Sequence, residues 1–265
     1  MRGKYRKMTD FDILSKKYSD LAAASDRKGI FTFTGFLGLS EKDILLKTID
    51  EEKRSGIGIS YTLYGGYDDA ERVICRFGNS EELGYEQEFP IACIKVEPLN
   101  GKFADKLSHR DYLGSLMNLG ITRAVIGDII VEEKKAYIFC AENMAEMIEK
   151  ELVRIKHTTV VARKINLSEE KIEKAEGDVK ELKLTVSSLR ADTMISGVYK
   201  KSRSQTAELF ARGLVYIEGR QTENPSQLLK EGQSVNVRGM GKFIFEKMEN
   251  INKKGKNVIN VRVFA

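Results

Sequence analysis

The first third of the chain alternates between helical and strand-like spacings of its apolar residues. The predicted elements are a helix over 11–24, a strand over 31–37, a helix over 41–54, a strand over 57–64, and 71–77, which fits either a helix or a strand. Ser40 precedes the second helix and is expected to cap it. Residues 1–82 are therefore predicted to form an N-terminal α+β domain.

The middle of the chain has a more regular pattern. Its predicted elements are a strand over 91–97, a helix over 108–119, strands over 125–132 and 135–141 joined as a hairpin, a helix over 143–152 capped by Asn143, and a strand over 158–165. This βαββαβ order predicts a ferredoxin-like domain over 83–166, a topology shared with RRM domains. Tyr137 and Phe139 alternate on the third strand, but packing in a core explains them better than stacking on RNA bases.

A polar, charged segment over 167–182 is predicted to link this domain to a last domain over 183–265. There Ser202 and Gln205 form a capping-box pattern at the start of a helix. Gly213 follows the last periodic residue as a left-handed cap, and a short strand, a turn and a second strand ending at Arg238 come next. Three residues share one face of this helix and are expected to pack in the core, namely Ala207, Phe210 and Ala211.

Charge is unevenly distributed along the chain. The 265 residues carry a net charge of +5 and are 42% hydrophobic, enough for two or three packed domains. Residues 180–265 contain 16 Lys and Arg against 8 Asp and Glu, so that they hold +8, and the remainder holds −3. This asymmetry predicts a polyanion partner for the last domain. The segment has no apolar face suited to membrane insertion.

Basic residues gather where the helix after Ser202 begins. Lys200, Lys201 and Arg203 surround this start, and a helix N-terminus presents unpaired N–H groups that suit a phosphate. Further cations in the same segment are Arg190, Arg212, Arg238 and Lys242. Each lysine alone fits an ordinary solvated surface, but the set at one helix start favours phosphate binding.

Other chemistry finds little support in the sequence. Cys75, Cys93 and Cys140 are far apart and are expected to be buried, reduced thiols of a cytoplasmic protein. With two histidines in the chain, a histidine-based metal site is not expected, and neither is a cofactor or a small-molecule substrate. No run of apolar residues is long enough to span a membrane, and the N-terminus lacks the apolar core of a signal peptide.

The sequence His109-Arg110-Asp111 imitates the catalytic loop of a kinase. That loop requires an Asn five residues after the Asp, where this chain has Leu116. The motif is better explained as a helix start in which Ser108 caps and Asp111 occupies the third helical position. His109 and Arg110 remain candidates for a secondary RNA contact.

Several passages resemble the S-four-type RNA-binding domain, a helical motif with a small β-sheet. They are Leu-Arg-Ala-Asp from residue 189, Lys-Lys-Ser-Arg-Ser-Gln from 200, Ala-Arg-Gly-Leu-Val-Tyr-Ile-Glu-Gly from 211, and Glu-Gly-Gln-Ser-Val-Asn-Val-Arg-Gly from 231. The resemblance implies RNA contacts at Arg190, Lys200, Lys201, Ser202, Arg203, Gln205, Arg212 and Arg238. Asp192 is expected to orient a basic neighbour, and Ala191 departs from the larger apolar residue that is usual there.

Three passages extend the resemblance over nearly the whole chain. The stretches 65–72, 108–121 and 127–129 are similar to the YlmH family, whose members join an N-terminal domain and an RRM-like domain to a C-terminal S-four-type domain. This implies a bacterial, ribosome-associated protein that binds ribosomal RNA and tRNA on large subunits with obstructed nascent chains. The alternative is an RNA-modifying enzyme of the pseudouridine-synthase type, for which Asp111 and Asp128 are the only candidate catalytic residues.

Overall fold

The computed structural model describes residues 9–68, 70–101, 104–166 and 179–264. The chain forms two compact units, Met1–Glu173 and Lys174–Ala265. Helices and sheets are mixed in both, which confirms the α+β class. Among the helices in the described ranges, none combines the length and apolarity needed to cross a membrane.

The N-terminal part of the first unit packs helices on a small antiparallel sheet. Its elements are α1 (Asp10–Lys28), β1 (Thr32–Phe33), α2 (Leu39–Arg54), β2 (Tyr61–Tyr64), β3 (Ile74–Phe77) and α3 (Ser80–Leu83). The strands lie in the order β1-β3-β2. Tyr18, Leu45 and Phe77 belong to the core between helices and sheet.

Three of the predicted boundaries in this part were wrong. Ser40 does not cap α2, because Gly38 is the N-cap and donates its N–H to the Glu41 carboxylate at 2.7 Å. The strand predicted over 31–37 shrinks to β1 and an isolated bridge between Leu37 and Val73. The strand predicted from residue 57 begins at Tyr61, and the undecided segment 71–77 contains strand β3.

The rest of the first unit is built around a five-stranded antiparallel sheet. Its elements are β4 (Ile91–Pro98), α4 (His109–Asn118), β5 (Ile126–Val131), β6 (Ala136–Ala141), α5 (Ala145–Glu151), β7 (Arg154–Ile155) and β8 (Thr158–Ile165). The strand order is β5-β6-β4-β8-β7. Asn143 does not cap α5, because Glu142–Met144 forms a 3-10 turn and the helix begins two residues after Asn143.

Both faces of this sheet are covered in its centre. On one face, Leu116 of α4 and Ile148 of α5 pack on Ile94 and Ile138. On the other face, residues of the N-terminal part close over the strands. The second core contains Phe36, Ile74, Ile91, Cys93, Ile130, Tyr137 and Phe139. The expectation that Tyr137 and Phe139 serve a core is therefore confirmed.

The second unit packs two helices on a six-stranded antiparallel sheet. Its elements are β9 (Val179–Val186), α6 (Ala191–Tyr199), α7 (Arg203–Ala211), β10 (Val215–Ile217), β11 (Arg220–Gln221), β12 (Ser234–Val237), β13 (Gly241–Ile251) and β14 (Asn257–Phe264). The strands lie in the order β11-β10-β12-β13-β14-β9. Because β9 pairs with β14 along its whole length, residues 179–182 belong to this sheet and not to a linker. The linker predicted over 167–178 lies outside the described residues.

Helix α7 begins where the sequence predicted. Ser202 is its N-cap and forms the capping box with Gln205, and Gly213 adopts the left-handed conformation at φ 63° after the helix end. The predicted core face was wrong in part. Thr206 and Phe210 are buried, whereas Ala207 and Ala211 are exposed. The buried residues are four apart, as one face of a helix requires.

The three cysteines occupy the first unit, and all three are buried and unpaired in disulfides, as predicted. Burial raises the pKa of the Cys75 thiol to about 12. Burial and the nearby Glu142 carboxylate raise the pKa of Cys140 to a similar value. Neither thiol is a reactive thiolate at neutral pH.

Candidate nucleic-acid interface

The junction between α6 and α7 fixes the backbone of the predicted phosphate-binding cations. Lys200 ends α6 in the left-handed conformation at φ 51°. Lys201 donates its N–H to the carbonyl of Ser196 at 3.1 Å, and the Ser196 hydroxyl donates to the Lys201 carbonyl at 2.6 Å. A three-residue connection anchored in this way holds Lys200 and Lys201 just before the start of α7. Both side chains and that of Arg203 are exposed.

The two polar residues predicted at this site hold the helix start. Ser202 Oγ accepts the Gln205 N–H at 3.2 Å, and Gln205 Oε1 accepts the Ser202 N–H at 3.0 Å. The Ser202 hydroxyl also lies 3.0 Å from Ser204 Oγ. These bonds shape the backbone on which the cations stand. A phosphate contact by Ser202 or Gln205 itself stays a prediction.

Two further predicted cations, Arg212 and Arg238, lie beyond the C-terminal end of α7. Arg238 donates its backbone N–H to the carbonyl of Leu214 at 2.9 Å, which places it beside the chain that follows Arg212. Both arginine side chains are exposed, and Arg212 forms an ion pair with Glu208 at 3.3 Å. An exposed pair of this kind is weak and leaves the guanidinium available to a stronger anion.

The turn after Arg238 lies near Tyr199, the last residue of α6. A methyl group added at Gly241 would lie 4.0 Å from the Tyr199 hydroxyl, so the turn between β12 and β13 packs against the end of α6. The Tyr199 ring also meets Phe243 edge-on, with 6.1 Å between centroids. The structure thus gathers Lys200, Lys201 and Arg203 at the α6–α7 junction, and it places Arg238 beside the chain that follows Arg212 at the other end of α7.

Two of the predicted cations lie elsewhere in the second unit. Arg190 precedes the first residue of α6, so the nine residues of that helix, about 13 Å, separate it from Lys200. Lys242 neighbours Phe243, whose side chain is in the core under the helices, and alternation along the strand directs Lys242 to the opposite face. There its ammonium lies 5.1 Å from the centroid of the Phe264 ring.

The role expected for Asp192 is confirmed. Its carboxylate accepts two hydrogen bonds from the Arg190 guanidinium, at 3.1 Å to Nε and 2.6 Å to Nη2. Such a two-point contact fixes the direction of the arginine side chain. Arg190 stays partly exposed beside it.

The lysines of the β13–β14 hairpin are better ordered than the sequence suggested. The sequence INKKGKN over 251–257 by itself predicts a loop. Instead, Asn252 Oδ1 accepts the N–H groups of Lys254 at 2.9 Å and Lys256 at 3.0 Å. The Asn252 N–H donates to the Lys256 carbonyl at 2.8 Å. Three lysines therefore stand on a closed, hydrogen-bonded turn.

In the first unit, Asp111 holds a helix start, as expected. Its carboxylate accepts from the Ser108 N–H at 2.8 Å and the Ser108 hydroxyl at 2.7 Å, and it pairs with Lys156 at 2.8 Å. The hydrogen bond from Lys156 and those from Ser108 lower the pKa of Asp111 to about 2.

Replacing Asp111 with Asn should make the Tm less sensitive to a fall in pH. The folded-state pKa of about 2 lies below the ordinary value, so the contribution of Asp111 is complete above ~4 and is lost as the pH falls through 2. We expect a lower Tm for Asp111→Asn at pH 7 and a smaller further loss between pH ~4 and ~2 than in the native chain. Thermal unfolding followed by circular dichroism measures both, and superimposable pH profiles would contradict this role.

Asp128 also has a structural role. It accepts hydrogen bonds from the Tyr67 hydroxyl at 2.7 Å and from the backbone N–H groups of Glu71 at 2.7 Å and Arg72 at 3.1 Å. The carboxylate joins the stretch 65–72 to strand β5. Both aspartates that the sequence offered as candidate catalytic residues thus hold backbone segments in place.

Arg72 completes this connection, and sequence reasoning missed it. Its Nε donates to the Ile126 carbonyl at 2.8 Å, and its Nη2 donates to the carbonyls of Phe36 at 3.0 Å and Arg123 at 2.8 Å. Burial and the positive charge of Arg123 lower the pKa of Arg72. Arg72 lies in the stretch 65–72, which resembles the YlmH family, and this resemblance could have identified it from the sequence.

Comparison with known proteins shows what the chain is similar to. Residues 85–169 match a family described as "Putative RNA-binding domain in YlmH". The chain is 29% identical over 230 residues to "Ribosome-associated protein quality control protein P2" of Bacillus subtilis (strain 168), covering 84% of this chain and 83% of that protein. The predicted likeness to the YlmH family is confirmed. Among solved structures, "Cell division protein ylmH from Streptococcus pneumoniae" matches with a TM-score of 0.49 and 18% identity, over 64% of this chain and all of that one.

The YlmH match does not coincide with the C-terminal cations. The matched range 85–169 includes β4 to β8 and with them His109 and Arg110, which are both exposed in the first turn of α4. The B. subtilis relative, by its name, is a ribosome-associated protein. Two separate parts of the chain are thus candidates for contact with RNA.

Proposed function

We propose that this protein is a noncatalytic RNA-binding factor of the large ribosomal subunit, acting in the cytoplasm on obstructed or stalled translation complexes. The observation that carries the proposal is the fixed α6–α7 junction, where Lys200, Lys201 and Arg203 stand exposed at a capped helix start. Ribosomal RNA, tRNA or both are the partners, bound through phosphates.

The charge of the second unit supports a polyanion as partner. Residues 180–265 hold +8, with exposed cations at the α6–α7 junction and at Arg212 and Arg238 beyond the other end of α7. Each neutralised phosphate releases counterions and contributes about −0.7 to −0.9 to the slope of log affinity against log salt. Binding to RNA should therefore weaken steeply as salt rises.

The proposed architecture has three modules. The βαββαβ order of 91–165, with the strand order β8-β4-β6-β5, supports an RRM-like ferredoxin fold for the middle module. The second unit fits an S-four-type domain, in which α6 and α7 carry the RNA contacts, and residues 1–82 fit a separate N-terminal module. Linked modules that reach one assembly gain affinity through effective concentration.

The noncatalytic part of the proposal rests on the two candidate aspartates. Asp111 is engaged by Ser108 and Lys156, and Asp128 by Tyr67 and two backbone N–H groups. A carboxylate held in this way is not presented to a substrate base. We therefore assign the chain a binding role.

Sedimentation of cell lysate tests the ribosomal partner. The native chain should travel with the large subunit in a low-salt gradient, while a Lys200→Ala, Lys201→Ala, Arg203→Ala variant should remain mostly at the top. The variant Lys253→Ala, Lys254→Ala, Lys256→Ala is the matched control and should co-sediment like the native chain. A native chain absent from all ribosomal fractions would overturn the proposal.

A further inference from the structure

The first unit lacks the sheet surface that an RRM uses for RNA. RRM domains stack bases on aromatic side chains of the open sheet face. In this protein the aromatic residues at that position, Tyr137 and Phe139, are 2% and 0% exposed. RNA bases cannot reach them while the N-terminal part is in place.

The cover over this face is closely fitted. A methyl group added at Gly66 would lie 2.4 Å from Cδ1 of Phe139, and the Tyr67 ring stacks on Phe139 with 4.9 Å between centroids. The hydrogen bonds of Asp128 and Arg72 tie the same stretch to β5 and to the residues around it. Binding of RNA by the matched range 85–169 must therefore use another surface.

The uncovered end of the same face is a poor phosphate site. Lys95 lies 3.6 Å from the Glu97 carboxylate, and Lys135 lies 3.4 Å from Glu132. Arg163, opposite Lys95 on β8, is the exposed cation that remains. Adjacent glutamates cancel most of the positive potential that would attract RNA.

Another group of cations lies where α4 begins. His109, Arg110 and Arg123 are all exposed there, and His109 lies close enough to Arg123 for their charges to interact. Within the described ranges, neither Arg110 nor Arg123 takes part in an ion pair. The acidic groups that face His109 are Asp128 and Glu71, and Asp128 already accepts three hydrogen bonds.

Desolvation and the positive charge of Arg123 lower the pKa of His109. A phosphate between these side chains would relieve the repulsion between like charges. Arg72 donates its backbone N–H to Asp128 and its Nη2 to the carbonyl of Arg123, and His109 interacts electrostatically with Arg123 and Asp128. The exposed side chains of His109 and Arg123 are therefore neighbours, and Arg110 follows His109 along the chain.

We propose that His109, Arg110 and Arg123 form the RNA-phosphate contact of the first unit, in place of the covered sheet face. This rests on the proposed RNA-binding function and adds Arg123 as a contact residue. The partner is the sugar–phosphate backbone of structured RNA, held by charge rather than by base stacking. The cations of the second unit belong to other elements of the chain.

The test compares two charge-matched variants of the full chain, using purified large-subunit ribosomal RNA as the probe. Loss of two phosphate contacts in Arg110→Ala, Arg123→Ala should weaken binding by roughly tenfold or more and reduce the salt slope by about 1.5. The control Lys95→Ala, Arg163→Ala removes the same charge from the sheet face and should change affinity less than about twofold.

Crosslinking of the native chain gives a readout that does not depend on a variant's folding. Ultraviolet crosslinks to RNA should fall in the peptide that contains 108–125 and not in the one that contains Tyr137. Equal losses in the two variants, or crosslinks at Tyr137, would overturn this inference while leaving RNA binding intact. A native chain that does not bind the RNA at all would overturn the proposed function together with it.

Discussion

Replacing Lys200, Lys201 and Arg203 with alanine should lower the affinity of the full chain for large-subunit ribosomal RNA by roughly 100-fold near 0.15 M salt. The three cations stand on a backbone fixed by the Ser196 bonds and the Ser202 cap, so that the backbone needs no ordering on binding. The slope of log affinity against log salt should fall by about 2 to 3. Fluorescence anisotropy titrations at four salt concentrations measure both quantities.

The hairpin variant Lys253→Ala, Lys254→Ala, Lys256→Ala is the matched control. It removes the same charge from a turn that Asn252 also orders, so that charge and backbone order are similar in the two sites. We expect its affinity to fall less than about fivefold. Equal losses would mean that net charge alone explains RNA binding and that the junction holds no specific contact.

Replacing Gly66 with alanine should destabilise the first unit by about 3 kcal/mol. The residue has φ 101°, where a side chain costs about 1–3 kcal/mol, and its new methyl group would lie 2.4 Å from Cδ1 and 2.7 Å from Cε1 of Phe139. Phe139 is fully buried, so it cannot move away, and overpacking adds about 1–3 kcal/mol. Differential scanning calorimetry should show the transition of this unit lowered by roughly 6–12 °C.

Gly114 provides the control for this substitution. It lies inside α4 with no positive φ, and no atom lies within 4 Å of a methyl group added there. Gly114→Ala should leave the Tm unchanged or raise it slightly, since alanine is favoured over glycine in a helix by about 1 kcal/mol. An unperturbed transition in Gly66→Ala would show that the stretch 65–72 does not cover Phe139 in solution.

Elements with strong local signals were predicted well. The strand over 158–165 and the start of α7 at Ser202 agree with the structure, because a long apolar alternation and a capping box are both encoded by neighbouring residues. Helix caps with weaker signals were wrong. Ser40 and Asn143 have suitable side chains, but Gly38 with Glu41 and the 3-10 turn at Glu142–Met144 satisfied the backbone instead.

Segments that depend on distant partners were predicted less well. Residues 179–182 read as a polar linker because β9 alternates charged and apolar residues, and only pairing with β14 makes them a strand. Ala207 and Ala211 were assigned to a core because their spacing puts them on one helical face with Phe210. Their exposure follows from which face of α7 meets the sheet, which the pattern of small residues does not fix.

The sequence by itself determined the α+β class, the basic character of residues 180–265 and the local order of cations around Ser202, since each depends on composition or on residues close along the chain. Only the tertiary structure decided which cations share a surface. It joined Arg238 to Leu214 and the Gly241 turn to Tyr199, separated Lys242 from the junction, and closed Gly66 and Tyr67 over Phe139. These contacts join residues far apart in sequence, and strand pairing and core packing select them.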